Sequence, residues 1–259
     1  MIDTEQLGPY RAWLGDFDRR IKLFEEKRPL SNRRAVAVRR KAYDEIDRVK
    51  LRALVAYIQQ KVVPRFSARD PELKRGPWKY FDLPKYLSRD AEWITSLGLD
   101  ESPPLKILDL GVGGGHFDFI AKCYGHDPVG IDLFEEAYDE ILRVYEIPRI
   151  VHRISPEGRL PVEGLFDLIT AFQITFNNRE SAILRATSEG ALWSEVDWKA
   201  FLDRLFPLLR EGGRIVLVLN KQPIGPDGYH HADRLLRFFS QLGAVVDIKT
   251  RCVKFSRPR

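Results

Sequence analysis

Apolar residues in the first part of the sequence recur at the three- and four-residue spacing of helices. The clearest run consists of Ile46, Val49, Ala53, Leu54, Tyr57, Ile58 and Val62. This run predicts one long helix that is capped by Ser31 or Asn32 and stopped by Pro64. A second helix is predicted from Pro84 to Leu97, because Gly98 can supply the left-handed residue that often closes a helix.

From Leu105 onward, short apolar runs alternate with helical stretches. The predicted strands are Lys106–Leu110, Val129–Leu133, Arg149–Ile154, Phe166–Phe172 and Arg214–Asn220. The predicted helices are Gly115–Tyr124, Glu135–Tyr145, Ser194–Arg210 and His231–Gln241, followed by an antiparallel edge at Ala244–Thr250 and Arg251–Phe255. Such alternation is typical of βαβ units. We therefore expect an α/β protein with a doubly wound, mostly parallel seven-stranded sheet at residues 103–259 and an N-terminal helical cap at residues 1–102.

The composition narrows the class of protein. The 259 residues are 44% hydrophobic and 31% charged, which excludes collagen-like and wholly disordered chains. No stretch approaches the roughly 18 consecutive apolar residues of a membrane span, and the polar start does not resemble a signal peptide. Cys123 and Cys252 are far apart and lack metal-ligand spacing. We expect a cytoplasmic protein with two free thiols and no metal site.

The basic excess is concentrated in the first part of the chain. Residues 1–102 contain 22 Lys and Arg against 16 Asp and Glu, whereas the rest contains 20 against 21. The density is highest from Arg28 to Arg52, which leaves nucleic acid open as a partner. Asp44, Glu45 and Asp47 interrupt this stretch and favour an ordinary solvated helix face.

A glycine motif follows the first predicted strand. Gly111, Gly113 and Gly115 alternate directly after it, so the backbone can turn sharply and approach a ligand closely. The second strand ends at Asp132, which lies 21 residues after Gly111. A carboxylate at that place can accept hydrogen bonds from both hydroxyls of a ribose. Together these features predict an adenosine-type cofactor.

Two residues favour one cofactor over another. His116 occupies the position where a dinucleotide fingerprint requires its third glycine. Asp109 would repel a pyrophosphate but suits a ligand with an ammonium and a sulfonium group. Over about Leu105 to Phe255 the sequence resembles class I S-adenosylmethionine-dependent methyltransferases, whose first motif is an acidic residue followed by G-x-G-x-G.

The resemblance implies roles for particular residues. The glycine loop would hold the methionine portion of S-adenosylmethionine, with Asp109 beside it, and Asp132 would bind the ribose. Leu133 would pack on the adenine, with Ile154 and Ser155 near its other face. Phe172 and Gln173 would border the sulfonium and the methyl group. Ordinary core packing is the alternative for Leu133, Ile154 and Phe172, and one of the three could have that role alone. Asp167 is interpreted as structural.

The acceptor is indicated only indirectly. Family members that methylate amide or exocyclic amino nitrogens often carry N-P-P-[YF] after the fourth strand, whereas this chain reads AFQITFNN there. The departure favours a small-molecule acceptor, with oxygen as the first choice of atom. An oxygen acceptor generally needs a base, and the candidates are His230 and His231 in the loop after the fifth strand and His116 beside the glycines. Each of these histidines could instead cap a helix or pack.

Two segments are expected to determine specificity. Aromatic residues of the cap could close over the site, namely Trp78, Tyr80, Phe81 and Tyr86, and the insertion Asn177–Trp193 should face the substrate. Three alternatives stay open: an RNA or DNA methyltransferase that uses the basic N-terminal region, a nucleotide-cofactor oxidoreductase, and a binding protein without activity. Steep salt dependence of nucleic-acid affinity, lost on neutralising Arg33, Arg34, Arg39 and Arg40, would favour the first. NAD binding would favour the second.

Overall fold

A computed structural model describes residues 32–62, 80–174, 176, 192–220 and 231–257, with the backbone alone for His231 and Ala232. The chain divides into two compact units. One comprises Met1–Pro104, Gly113–His126 and Phe134–Pro148, and the other comprises Leu105–Val112, Asp127–Leu133 and Arg149–Arg259. The first unit is helical in its described part, and the second contains the whole sheet.

The helices of the first unit are α1 (Arg33–Glu45), α2 (Arg48–Tyr57), α3 (Leu83–Ser96), α4 (His116–Cys123) and α5 (Glu136–Tyr145). A π-helical turn, Ile58–Val62, extends α2. Helix α1 packs against α3 and α4, α3 packs against α4, and α2 packs against α5. Their apolar faces form the core of this unit, for example through Val38, Leu54, Leu87, Ile94, Ile120 and Ile141.

The prediction of one long N-terminal helix is wrong, because the helix is interrupted between Glu45 and Arg48. Ile46 has an extended backbone and ends α1. The Asp47 carboxylate then accepts hydrogen bonds from the backbone N–H groups of Val49 and Lys50, which starts α2. Asn32 caps α1 as predicted, and Pro64 lies outside the described residues.

The predicted helix from Pro84 to Leu97 is confirmed to within one residue at each end, since α3 spans Leu83–Ser96. Gly98 follows it with a φ of 70°, the left-handed conformation expected of a residue that closes a helix. The backbone N–H groups of Leu97 and Gly98 donate to carbonyl oxygens of the last turn. The helix therefore ends where the sequence predicted.

The second unit contains a seven-stranded sheet with the order β3-β2-β1-β4-β5-β7-β6. The strands are β1 (Lys106–Leu110), β2 (Asp127–Asp132), β3 (Arg149–Val151), β4 (Phe166–Phe172), β5 (Leu209–Val218), β6 (Val245–Asp247) and β7 (Cys252–Ser256). The first five are parallel, and β7 pairs antiparallel with both β5 and β6. The chain runs outward from β1 in both directions, through β2 and β3 and through β4 and β5, so the predicted doubly wound α/β fold is confirmed.

The sheet differs from the prediction at the ends of its strands. β3 stops at Val151, three residues before Ile154, and β5 begins at Leu209, inside the stretch predicted as helix. Helix α6 (Glu195–Leu205) gives way to a 3-10 turn that carries Pro207, and Leu209 then pairs with Phe166 of β4. A proline cannot donate the backbone hydrogen bond that a continuing α-helix requires, which accounts for the early end of α6.

Helices α6 and α7 (His231–Gln241) supply part of the apolar core of the second unit. Leu108 and Leu110 of β1 belong to this core cluster, together with Ile169 and Ala171 of β4. Because side chains alternate along a strand, Asp109 lies on the opposite face of the sheet from Leu108 and Leu110. The largest fully buried members of the cluster are aromatic: Phe166, Trp193, Trp198, Phe201 and Phe239.

The two cysteines do not form a disulfide. Cys123 and Cys252 are both free thiols, and burial raises the pKa of Cys123 to about 11. Among the described residues, no group of three or more His, Cys, Asp or Glu side chains could hold a metal ion. No helix in the same part of the chain is long and apolar enough to cross a membrane.

Candidate functional site

The candidate site lies at the carboxyl ends of β1 and β4. These strands are neighbours in the sheet, yet the chain leaves them toward opposite edges. In open α/β sheets such a switch point is where ligands bind, outside the carboxyl ends of the strands. Asp109, near the end of β1, is in register with Gly130 of β2 and with Thr170 of β4.

Asp109 is buried, with only 4% of its surface exposed. Its Oδ1 accepts a hydrogen bond of 2.6 Å from the hydroxyl of Thr170. A buried carboxylate is costly unless its oxygens are hydrogen-bonded, so this contact satisfies part of the requirement. The result is an oriented carboxyl group two residues before Gly111.

The glycine segment begins under close constraint. Gly111 has a φ of 77°, and a Cβ built on it would lie 2.6 Å from Cδ1 of Ile174, in the segment that follows β4. The Ile131 carbonyl accepts hydrogen bonds from the backbone N–H groups of both Gly111 and Val112. Only glycine fits this backbone and this contact, so the segment is held close to the ends of β2 and β4.

The other two glycines of the motif also have left-handed backbones, with φ of 53° at Gly113 and 69° at Gly115. Gly115 is the N-cap of α4, and a Cβ there would lie 2.5 Å from Cδ2 of Leu142. All three glycines of the motif therefore have a backbone conformation that other residues rarely adopt. Backbone N–H groups at the start of a helix suit a ligand that carries negative charge, such as a carboxylate.

Asp132 ends β2 and is half-buried. Its Oδ1 accepts a hydrogen bond of 2.7 Å from the backbone N–H of Leu133. Its backbone carbonyl accepts one of 2.9 Å from His152 N–H. Leu133 is also half-buried, and its carbonyl accepts a hydrogen bond from Arg149. An oriented carboxylate at this strand end can accept hydrogen bonds from a diol, as the sequence predicts for a ribose.

The end of β4 carries Phe172 and Gln173. Phe172 is half-buried, whereas Gln173 is exposed and has a φ of 57°, unusual for a residue other than glycine. The backbone N–H of Gln173 donates to the Val218 carbonyl at 2.8 Å, and its carbonyl accepts a hydrogen bond from the Asn220 side chain. These contacts hold the backbone after β4 in a conformation that it would otherwise rarely adopt.

Ile154 and Ser155 follow β3 and are both half-buried. Ile154 packs against the apolar core cluster of the second unit. The Ser155 Oγ lies 2.3 Å from where a Cβ at Gly158 would stand, so Ser155 faces the turn that follows it. Their assignment to the adenine remains a prediction.

His116 lies among aromatic rings of the first unit. It is only 3% exposed, stacks on Tyr86 with ring centroids 5.2 Å apart, and lies 3.0 Å through Nδ1 from the Tyr145 hydroxyl. Burial, with a smaller effect from the positive charge of Arg89, lowers the pKa of His116 to about 3. A neutral ring in such surroundings favours a packing role over that of a base.

The remaining candidate histidines, the aromatic residues of the cap and the insertion after β4 are described only in part. His230 lies outside the described residues, and His231 begins α7 without a described side chain. Tyr80 and Tyr86 belong to the aromatic cluster around His116, Phe81 is fully buried, and Trp78 is not described. Of the insertion predicted to face the substrate, most is not described, and Trp193 is buried in the core of the second unit.

Asp167 has the structural role that the sequence suggested. One of its oxygens accepts a hydrogen bond of 2.8 Å from the backbone N–H of Lys106, at the start of β1. The same carboxylate forms an ion pair with Arg210 at 3.1 Å. These contacts lie at the amino ends of the strands, away from the candidate site.

In the described part of the basic stretch, not every basic side chain is free to contact a partner. Arg39 is 1% exposed and donates a hydrogen bond to the Ser88 hydroxyl, so it cannot contact a nucleic acid. Arg34 is paired with Asp100 and Glu101. Of the four arginines singled out from the sequence, Arg33 and Arg40 are exposed without an ion pair among the described residues.

Two residues of the site were missed by sequence reasoning. Thr170 binds Asp109, and Ile174 occupies the space over Gly111. Thr170 could have been found, because a hydroxyl in the otherwise apolar run LITAF of a central strand needs a partner. Ile174 gives no such signal, since an apolar residue after a strand is ordinary.

Comparisons with known proteins give matches among solved structures. No family model matches it, and no curated protein matches it. It is similar to the ribosomal protein L11 methylase of Lactobacillus delbrueckii subsp. bulgaricus, at 17% identity over 65% of this chain and 78% of that one, with a TM-score of 0.39. It is also similar to the N-methyltransferase NodS of Bradyrhizobium japonicum WM9, solved with S-adenosyl-L-homocysteine, at 16% identity over 67% and 88% of the two chains and a TM-score of 0.43.

A third similar structure is CalS10 of Micromonospora echinaspora, an amino pentose methyltransferase solved with S-adenosylmethionine. The identity is 16% over 56% of this chain and 53% of that one, with a TM-score of 0.38. Because these values are low, the fold assignment rests on the strand order and register of the chain itself. That order gives the chain the Rossmann-like α/β fold that the resemblance to class I S-adenosylmethionine-dependent methyltransferases implies.

Proposed function

We propose that the protein is an S-adenosylmethionine-dependent methyltransferase that acts on a small-molecule acceptor, with oxygen as the methylated atom. The observation that carries this proposal is the buried Asp109 carboxylate at the end of β1, directly before a segment with three left-handed glycines. A buried anion at that place favours a ligand with an ammonium group and disfavours a pyrophosphate.

The residues of this chain fit the cofactor. Asp109 would attract its ammonium group, and the glycine segment would lie along its amino-acid end without side chains in the way. Asp132 would accept hydrogen bonds from the ribose hydroxyls, with Leu133 beside the adenine. When bound, the cofactor supplies the methyl group and the reactivity of its sulfonium. The protein's task is then to orient the acceptor and exclude water.

The proposal for the acceptor rests on the end of β4. In place of N-P-P-[YF], the chain has Phe172, an exposed Gln173 with a fixed backbone, and Ile174 against Gly111. The Gln173 amide can donate to and accept from a polar acceptor molecule. If the acceptor is a hydroxyl group, His230 and His231 remain candidates for its base, whereas His116 is disfavoured by its depressed pKa.

The cofactor assignment is tested by replacing the two carboxylates. We expect Asp109→Asn and Asp132→Asn each to weaken binding of S-adenosylhomocysteine by about 1–3 kcal/mol, since an amide oxygen lacks the negative charge that strengthens a hydrogen bond from the ligand. Asp127→Asn is the matched control, because Asp127 is exposed at the opposite end of the same strand as Asp132. Affinities of both site variants equal to that of the Asp127 variant, measured by calorimetry, would overturn the assignment.

A nucleic-acid substrate is the main competing proposal, and it is tested separately. A methyltransferase that uses the basic N-terminal region should bind RNA or DNA with an affinity that falls steeply as salt rises. Exchanging the exposed Arg33 and Arg40 for Gln should reduce that slope. The small-molecule proposal predicts no such binding, and transfer of a labelled methyl group to RNA would contradict it.

A further inference from the structure

The hydroxyl of Thr170 has no role in apolar packing. Thr170 is fully buried in β4, a strand whose residues from Leu168 to Phe172 are otherwise apolar. A valine would fill the same space without the cost of burying a hydroxyl group. Its strand neighbours Ile169 and Ala171 belong to the apolar core cluster, so Thr170 lies on the other face of the sheet, the face of Asp109.

The contact between Thr170 and Asp109 has the geometry of a strong hydrogen bond. The two residues are directly paired in register across β1 and β4. Thr170 Oγ1 donates to Asp109 Oδ1 at 2.6 Å, within the range of about 2.5–2.7 Å that is typical of hydroxyl–carboxylate bonds. Both residues belong to the second unit and are fixed by the same parallel ladder.

We propose that Thr170 is a positioning residue, which fixes the Asp109 carboxylate so that this carboxylate recognises the ammonium group of the cofactor's amino-acid end. This inference rests on the proposed function. The terminal torsion of an aspartate is broad, so an unrestrained carboxylate would lose orientational freedom when it binds a ligand. A hydrogen bond already made to one oxygen removes that cost before the ligand arrives.

The proposal predicts an effect that depends on one part of the ligand. S-adenosylhomocysteine carries the ammonium group, whereas 5′-methylthioadenosine has the same adenosine and sulfur but lacks the amino-acid end. Losing the Thr170 hydroxyl should therefore weaken binding of the first ligand and leave the second unchanged. A residue needed only for the packing of the strands would affect both ligands alike.

The experiment measures the dissociation constants of both ligands for the full chain and for Thr170→Val and Thr170→Ser. We expect Thr170→Val to weaken binding of S-adenosylhomocysteine about fivefold, because the Asp109 carboxylate must then be ordered when the ligand binds. Binding of 5′-methylthioadenosine should stay within about twofold, and Thr170→Ser should restore the wild-type ratio of the two constants because it keeps the hydroxyl.

An unchanged ratio of the two constants in Thr170→Val would overturn the inference, whether both ligands weaken or neither does. Thr170→Ala removes the same hydroxyl but leaves a smaller side chain. If the valine variant does not fold, the ratio of the two dissociation constants is measured on this alanine variant instead. Failure of the proposed function looks different, because the wild-type protein itself would then bind neither ligand.

Discussion

Gly111 is the residue at which the backbone of the candidate site tolerates least change. Alanine there would combine a φ of 77° with a Cβ only 2.6 Å from the Ile174 side chain. We expect Gly111→Ala to lower the free energy of unfolding by about 1–3 kcal/mol, from left-handed strain and overpacking together. Urea titration measures this change.

The control for this prediction changes Ile174 together with Gly111. Ile174→Ala should remove the clash but leave the strain at residue 111, so the double variant should recover part of the loss. Gly98→Ala offers a further comparison, since Gly98 has a φ of 70° but no atom within 4 Å of its Cβ. An equal effect at Gly98 and Gly111 would mean that the contact with Ile174 contributes nothing.

His116 provides a prediction about pH. Burial lowers its pKa to about 3, below the ordinary histidine value of about 6.5. Between these values the unfolded chain takes up a proton that the folded chain does not. The contribution of the neutral ring to stability is therefore complete above about pH 6.5 and is lost as the pH falls.

The measurement compares wild type with His116→Phe, which keeps an aromatic ring but cannot titrate. Between about pH 7 and about pH 4.5 the wild type should lose about 2–3 kcal/mol more than the variant in free energy of unfolding. Parallel stability curves for the two proteins would contradict the buried, neutral histidine. Burial also raises the pKa of Asp90, but this carboxyl is common to both proteins and cancels in the comparison.

At the scale of elements, two side chains fix the start of α6. The Ser194 hydroxyl accepts a hydrogen bond from Asp197 N–H, and the Asp197 carboxylate accepts one from Ser194 N–H, which forms a capping box. We expect Ser194→Ala to cost about 1 kcal/mol of stability, whereas Ser194→Thr, which keeps the hydroxyl, should cost less. Thermal unfolding of both variants decides this, and an alanine variant as stable as wild type would show that the cap is not needed.

Elements with a strong local signal were predictable from the sequence. Strands β1 and β4 and helix α7 have the predicted bounds, because apolar runs and flanking polar residues mark their ends. The break at Asp47 was not predicted, since the helical apolar spacing continues through it and only the capping contacts of its carboxylate reveal a new start. Strand β3 ends at Val151 because its partner strand β2 ends at Asp132. The local sequence around Val151 does not indicate where this pairing stops.

At the scale of the whole molecule, the sequence predicted the fold class and, from Leu105 onward, the order of strands and helices along the chain. Motif spacing alone could place Asp109, the glycines and Asp132 at strand ends, because parallel strands bring their carboxyl ends to one edge. It could not reveal the partner of Asp109, since Thr170 is 61 residues away and becomes its neighbour only through strand pairing. Nor could it reveal that Arg39 is buried, because a charge run looks the same on either face of a helix.

We propose that this fold binds S-adenosylmethionine rather than a dinucleotide. Calorimetric titration of the wild-type protein with S-adenosylhomocysteine, beside a titration with NAD, distinguishes the two cofactors. We expect micromolar binding of S-adenosylhomocysteine and no binding of NAD, because Asp109 favours an ammonium group and would repel a pyrophosphate. Binding of NAD alone, or of neither ligand, would contradict the proposed cofactor.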